Sequence, residues 1–83
     1  MTFFVYLIGT RKKIKLTTYV GYTNNIKKRL HLHNSGKGAK FTRGRKWKLL
    51  YLEKLKTKSE AIKRECYIKK NRKLRNIIKN KNT

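Results

Sequence analysis

Aspartate and proline are both missing from this 83-residue chain, and carboxylates number only three against 25 lysines and arginines. With Glu53, Glu60 and Glu65 as the sole carboxylates, a multi-carboxylate two-metal cluster would have to recruit Glu53 or Glu60. A single cysteine, Cys66, excludes an intramolecular disulfide framework and fits a reducing compartment. No apolar run approaches the roughly 18 residues a membrane span needs, so an integral membrane protein is not expected. Met1 to Gly9 is apolar, but no basic segment precedes it and no small-residue cleavage site follows, so a signal peptide is not expected either. The localisation these absences suggest is cytoplasmic or nucleoid/nuclear, neither secreted nor membrane-bound.

What is present is positive charge, a formal net of +22. Such a surplus repels itself and calls for a polyanion to screen it. Nucleic acid is the leading partner, because each phosphate neutralised by Lys or Arg releases condensed counterions. An anionic membrane would favour one long helix with a basic and an apolar face, whereas the cations here are spread along the whole chain. The 37% of hydrophobic residues, with one Trp, five Tyr and three Phe, suffice for the small core of a single domain.

Thr2 to Ile8 is rich in β-branched and aromatic residues and reads as a strand bounded by Gly9, with Gly9 to Lys13 as a basic turn. Ile14 to Tyr22 alternates at its start and reads as a second strand, forming an antiparallel hairpin with the first. Thr23, Asn24 or Asn25 caps a helix carrying Ile26, Leu30 and His33, with Gly36 as its stop. Between Ser35 and Arg45 glycines alternate with cations, which predicts a flexible basic loop. Trp47 to Leu55 fits a third strand, central or well covered, with Trp47 and Tyr51 in the core. Thr57 to Glu60 matches a capping box in which Glu60 reaches back, opening a helix from about Ser59 to Lys70. A short helix near Lys73 to Ile78 follows. The order β-β-α-β-α-α predicts an α+β domain over residues 1–79, a three-stranded antiparallel sheet packed with helices, and a frayed basic tail over 80–83.

Among the carboxylates, Glu60 is committed to capping and Glu53 ends the third strand, which leaves Glu65. It shares a helix face with Ala61 and Ile68, and a carboxylate on an apolar side needs a partner. An ion pair with one of the many cations and a metal ion both satisfy that need. Cys66, on the same helix, is expected to be half-buried.

Val5-Tyr6-Leu7, Tyr19-Val20-Gly21, Arg29 and His33 four residues apart, and Glu65 followed by Ile68-Lys69 together resemble the GIY-YIG nuclease family. Val5-Tyr6-Leu7 stands for Gly-Ile-Tyr, aligned by its tyrosine, and Tyr19-Val20-Gly21 for Tyr-Ile-Gly. Ser35 to Lys40 resembles the loop of the small single-domain members, which are related to the nuclease module of the bacterial nucleotide-excision repair endonuclease. The resemblance covers roughly residues 3 to 79. It implies a metal-dependent DNA endonuclease, with a connection to DNA repair or recombination, that hydrolyses phosphodiester bonds of duplex or branched DNA. Glu65 becomes the sole protein ligand of one Mg²⁺ or Mn²⁺ and Tyr19 the general base on the attacking water. Tyr6 orients that water or Tyr19, Arg29 binds the phosphate, and His33 assists from the rim of the site. Lys37, Lys40 and Arg43 in the basic loop are the expected nucleic-acid grip. A domain this small has little surface for reading bases, so specificity is expected from DNA shape, a protein partner or dimerisation. The alternative is a non-catalytic basic nucleic-acid-binding protein that keeps the fold.

Overall fold

The computed structural model describes residues 2–81 apart from Lys13 and Ala39. The chain runs β1 (Phe3–Lys12), β2 (Lys15–Thr23), α1 (Ile26–Asn34), β3 (Lys48–Leu55), α2 (Lys58–Lys70) and α3 (Arg72–Lys81), with a short 3-10 turn at Lys40–Thr42. The predicted β-β-α-β-α-α order and α+β class hold, and the three strands form one antiparallel sheet in the order β2-β1-β3. β1, not the third strand, is therefore central. Its Val5, Tyr6, Leu7 and Ile8 are all at most 1% exposed, the mark of a strand covered on both faces.

Those residues divide the core in two. Tyr6 and Ile8 pack with Trp47, Tyr19, Leu49 and the α1 residues Ile26 and Leu30. Val5 and Leu7 point to the other face, where Val20, Ala61, Ile68 and Ile78 join them from β2, α2 and α3. Burying an aliphatic side chain of this size contributes about 1.5–3 kcal/mol. A register shift opposite Leu7 and Ile8 lets consecutive β3 residues, Leu50 and Tyr51, face the α2–α3 side.

Several boundaries differ from the predicted ones. β1 continues through Gly9 into the expected turn, because Gly9 pairs with Thr18 and the ladder closes only at Lys12 opposite Lys15. Ile14, predicted to open the second strand, lies in the turn and is 95% exposed. Lys13 of the predicted turn and residues 82–83 of the predicted tail lie outside the described residues, whereas Asn80 and Lys81 are helical.

The caps explain where helices begin. The Asn25 side chain accepts from Lys28 N at 3.1 Å, and the Thr57 hydroxyl accepts from Glu60 N at 3.1 Å. Glu60 returns to the Thr57 hydroxyl, which donates to its carboxylate at 3.2 Å, instead of to the backbone amide a capping box uses. α1 ends as predicted at Gly36, whose φ of +80° suits a residue without a side chain. Asn71 separates α2 from α3 and caps the latter by accepting from Leu74 N at 3.0 Å. Glu53 is held by Arg64 Nε and by the Tyr51 hydroxyl, tying β3 to α2. Cys66 is exposed, not half-buried.

Candidate active site

β2 is an edge strand, and the candidate residues gather along it. Tyr6 pairs with Gly21 and Tyr19 with Ile8, so both tyrosines rise from the α1 face of the sheet, diagonal to one another. Gly21 lets them do so. A Cβ there would collide with the Tyr6 hydroxyl, so the Tyr6 ring crosses the backbone of β2 where no side chain stands. This is a close-approach requirement, not the exit turn that a glycine at a strand end suggests.

The Tyr6 hydroxyl is the hub. Arg29 Nε donates to it at 3.3 Å, and His33 Nε2 lies 2.9 Å from it. His33 Nδ1 is 2.8 Å from the Thr42 hydroxyl. Arg29 and His33 reach the same oxygen because residues four apart share one face of α1. His33 is 0% exposed, so it does not sit at the rim as expected. Burial, reinforced by the charge of Arg29, lowers its pKa below the ordinary 6.5 and keeps the ring neutral. Either tautomer satisfies both ring nitrogens, since hydroxyls of Tyr6 and Thr42 can each donate or accept.

Tyr6 has its pKa raised, chiefly by burial and against the hydrogen bond from Arg29; the charges of Tyr19 and Glu65 push the same way as burial. It therefore remains a neutral hydroxyl at physiological pH. Tyr19 differs, being half-buried with its ring edge-on to His33 at 5.3 Å and stacked on Phe41 at 6.0 Å.

Glu65 stands on α2, in the opposite layer. Its helix neighbours Ala61 and Ile68 are buried against the far face of the sheet, yet its charge is felt at Tyr6. Lys69 Nζ pairs with its carboxylate at 2.8 Å, so of the two partners anticipated for Glu65 the cation is present. The Lys69 pKa is raised, first by that contact and in lesser part by Tyr19. Tyr6, Arg29, His33 and Tyr19 form one contact cluster, and Glu65 joins it electrostatically without a hydrogen bond to its members. No group of three His, Cys, Asp or Glu side chains converges among the described residues, so a metal here would have Glu65 as its protein carboxylate and water or substrate oxygens otherwise. That ligand set fits Mg²⁺, which keeps several waters.

Lys37, Lys40 and Arg43 are all exposed and, among the described residues, outside the ion pairs. The loop that carries them also packs back on the cluster through Thr42 and Gly38. Thr42 is 0% exposed, bonds His33, and through its carbonyl accepts from Trp47 Nε1 at 2.9 Å. Gly38 packs so closely that a Cβ would lie 2.5 Å from His33 Nδ1. Thr42 and Gly38 both pack on His33; Thr42 was not singled out in the sequence, and Gly38 only as part of the Ser35 to Lys40 loop.

An α+β domain with two phenols, a guanidinium and an imidazole gathered at one sheet edge, and a glutamate on the adjoining helix, is what fold and cluster define. The GIY-YIG catalytic domain family matches residues 2–81. A UPF0213 protein of Oceanobacillus iheyensis is 46% identical over 67 residues, 80% of this chain and 74% of that relative. One from Clostridium perfringens is 47% identical over 68 residues, 81% of this chain and 70% of the relative. A third, from Bacillus licheniformis, is 60% identical over 53 residues, 63% of this chain and 55% of the relative, so the chain spans little more than half of it. No solved structure matches this chain. The chain belongs to the GIY-YIG family of nucleases, as the motif resemblance implied. None of the described helices is long and apolar enough to cross a membrane.

Proposed function

We propose that this protein is an endonuclease that hydrolyses phosphodiester bonds of DNA with one divalent metal, Mg²⁺ or Mn²⁺, held by Glu65. The observation that supports this most is the Tyr6 hydroxyl fixed by Arg29 and His33 over Gly21, with Tyr19 beside it and Glu65 within electrostatic reach. When bound, the metal would hold the scissile phosphate and stabilise the leaving oxygen.

The side chains divide the remaining work. Arg29 spends Nε on Tyr6, and its two Nη groups, which make no hydrogen bond among the described residues, form the fork that grips phosphate oxygens. Tyr19 takes the proton of the attacking water; Arg29 and Lys69 both feel its charge, so negative charge on its oxygen has cationic neighbours. Tyr6 stays protonated and orients the water and Arg29. His33 is a positioning residue that holds Tyr6, and Thr42 holds His33. Lys37, Lys40 and Arg43 extend the phosphate contacts along the strand.

Nicking of a supercoiled plasmid with and without Mg²⁺ tests the reading. Glu65→Ala is expected to abolish metal-dependent nicking while leaving or tightening DNA binding, because it removes a negative charge beside the phosphates. Tyr19→Phe is expected to slow nicking by about 10²–10⁴. A metal titration followed by carboxyl chemical shifts should move Glu65 first. Equal nicking by the wild type and Glu65→Ala would remove Glu65 from the mechanism. No nicking of duplex, branched or single-stranded DNA by the wild type would leave a nucleic-acid binder.

A further inference from the structure

Beyond Tyr19 the free edge of β2 continues into a second hollow. A groove of about 400 Å³ is lined there by Lys15 and Thr17 of β2, by Phe41 and Arg45 of the loop, and by Arg75 and Lys79 of α3. The loop approaches from the α1 side of the sheet and α3 from the opposite side, so the groove straddles the sheet edge.

Four cations from three segments surround this hollow, and no carboxylate lines it. All three glutamates are engaged elsewhere, Glu53 with Arg64, Glu65 with Lys69 and Glu60 with Thr57. Like charges gathered in this way are unfavourable unless an anion lies between them. Arg75 adds an independent sign, since its Nε is buried and has no hydrogen-bond partner among the described residues. A buried donor without an acceptor is costly, more so on a charged group, and the guanidinium gains a partner by turning outward to a phosphate oxygen in the groove.

Phe41 supplies the second chemistry. Its ring is half in solvent, 50% exposed, although it stacks on Tyr19 at an interplanar angle of 20° and has the Arg45 guanidinium 5.2 Å from its centroid. An aromatic ring flanked by a guanidinium offers a flat, cationic platform of the kind on which nucleobases stack. Bases paired within a duplex are stacked on both sides and have no free face to offer it. The Phe41–Tyr19 stack also joins this platform directly to the candidate active site.

We infer that the groove is a flanking-nucleotide subsite, in which an unpaired base stacks on Phe41 and Arg45 while Lys15, Arg75 and Lys79 hold the adjoining phosphates. The inference rests on the nucleic-acid reading of the neighbouring site and narrows it to substrates with an unpaired nucleotide beside the bond to be cut. A strand lying along β2 then passes Arg75 and Lys79, Phe41, Tyr19 and Arg29 in turn.

The test is binding in EDTA, where nothing is cut, of a short fluorescent single strand and of a blunt duplex of the same sequence. Phe41→Leu, which keeps apolar packing against Tyr19 and Trp47 but has no aromatic face, should weaken single-strand binding about tenfold. Phe41→Trp should restore it, and duplex binding should change by less than about twofold with either variant. The pair Arg75→Gln and Lys79→Gln together should flatten the single-strand salt slope by about 1.4, which is roughly 0.7 for each phosphate no longer neutralised. With the wild type alone, 2-aminopurine in the single strand should lose fluorescence on binding, a readout that does not depend on any variant folding. Unquenched 2-aminopurine, an equal loss on single strand and duplex for Phe41→Leu, or an unchanged salt slope would each overturn the inference. Stacking without any nicking would sink the nuclease reading and leave this groove standing. Nicking by a protein whose Phe41→Leu variant binds single strands at full strength would do the reverse.

Discussion

At the scale of the residue, His33 shows how far burial changes what a side chain can do. It is enclosed completely, with both ring nitrogens in contact with hydroxyls, and its pKa is lowered first by desolvation and then by Arg29. In the unfolded chain the same ring takes a proton near 6.5. Between that value and the lower one in the fold, the unfolded state binds more protons. The stabilisation from neutral His33 is therefore present in full above about pH 6.5 and drains away as the pH falls through this window. The limiting slope for one group is about 1.4 kcal/mol per pH unit. Denaturant unfolding should show the wild type to be less stable at about pH 5.5 than at about pH 7.5. His33→Gln should be less stable at the higher pH and lose less on acidification. Equal losses in both proteins would mean that His33 does not titrate differently on folding.

At the scale of the element, Asn34 does more than its place at an exposed helix end suggests. Its amide donates to the Trp47 carbonyl and its carbonyl accepts from the Trp47 amide, so one side chain fastens the end of α1 to the entry of β3. The loop closed by this clip carries Thr42 to His33. Asn34→Leu leaves both Trp47 backbone groups without partners and should cost about 1–3 kcal/mol in thermal or denaturant unfolding, with Asn34→Asp losing only the donated bond. No change in stability for the leucine variant would mean that water replaces the clip. The clip is also a measure of what a sequence discloses. The cap at Thr57, a cap for α1 among Thr23, Asn24 and Asn25, the glycine stop at Gly36 and the alternation at the start of β2 are local rules, and they were legible. The four-residue spacing of Arg29 and His33 placed them on one face but carried no depth, so the burial of His33 was not legible. The unbroken apolar run of β1 was the sign of a central strand, yet the choice between β1 and β3 depends on which edge of the β1–β2 hairpin the third strand joins. Thr42 and Gly38 meet His33 only because the loop folds back on the helix that precedes it, a fold-back that no cap or periodicity encodes. Glu65 was identifiable as a misplaced carboxylate, whereas its approach to Tyr6 from the far side of the sheet depends on α2 packing against the edge strand.

At the scale of the whole molecule, a formal charge of +22 is confined to a body of 38 × 29 × 18 Å. Only two ion pairs, Arg64–Glu53 and Lys69–Glu65, offset it among the described residues. The Debye length is about 30 Å at 0.01 M salt and about 8 Å at 0.15 M. At the lower value nearly every cation repels every other across the fold, and at the higher one only near neighbours do. Unfolding spreads these charges apart, so repulsion favours the unfolded chain most at low salt. The melting temperature should therefore climb by about 5 °C or more between 0.01 M and 0.15 M NaCl, since 1 kcal/mol moves a domain of this size by about 4–8 °C. Most of the climb should come below 0.1 M, where the Debye length still exceeds about 10 Å. A short oligonucleotide at constant ionic strength should add a further, concentration-dependent rise, because it binds the folded cationic edge and not merely the surrounding solution. A melting temperature flat with salt would mean that the cations stay as close together in the unfolded chain as in the fold. A rise with salt but none with the oligonucleotide would mean that the charge is screened without being organised into a strand-binding edge.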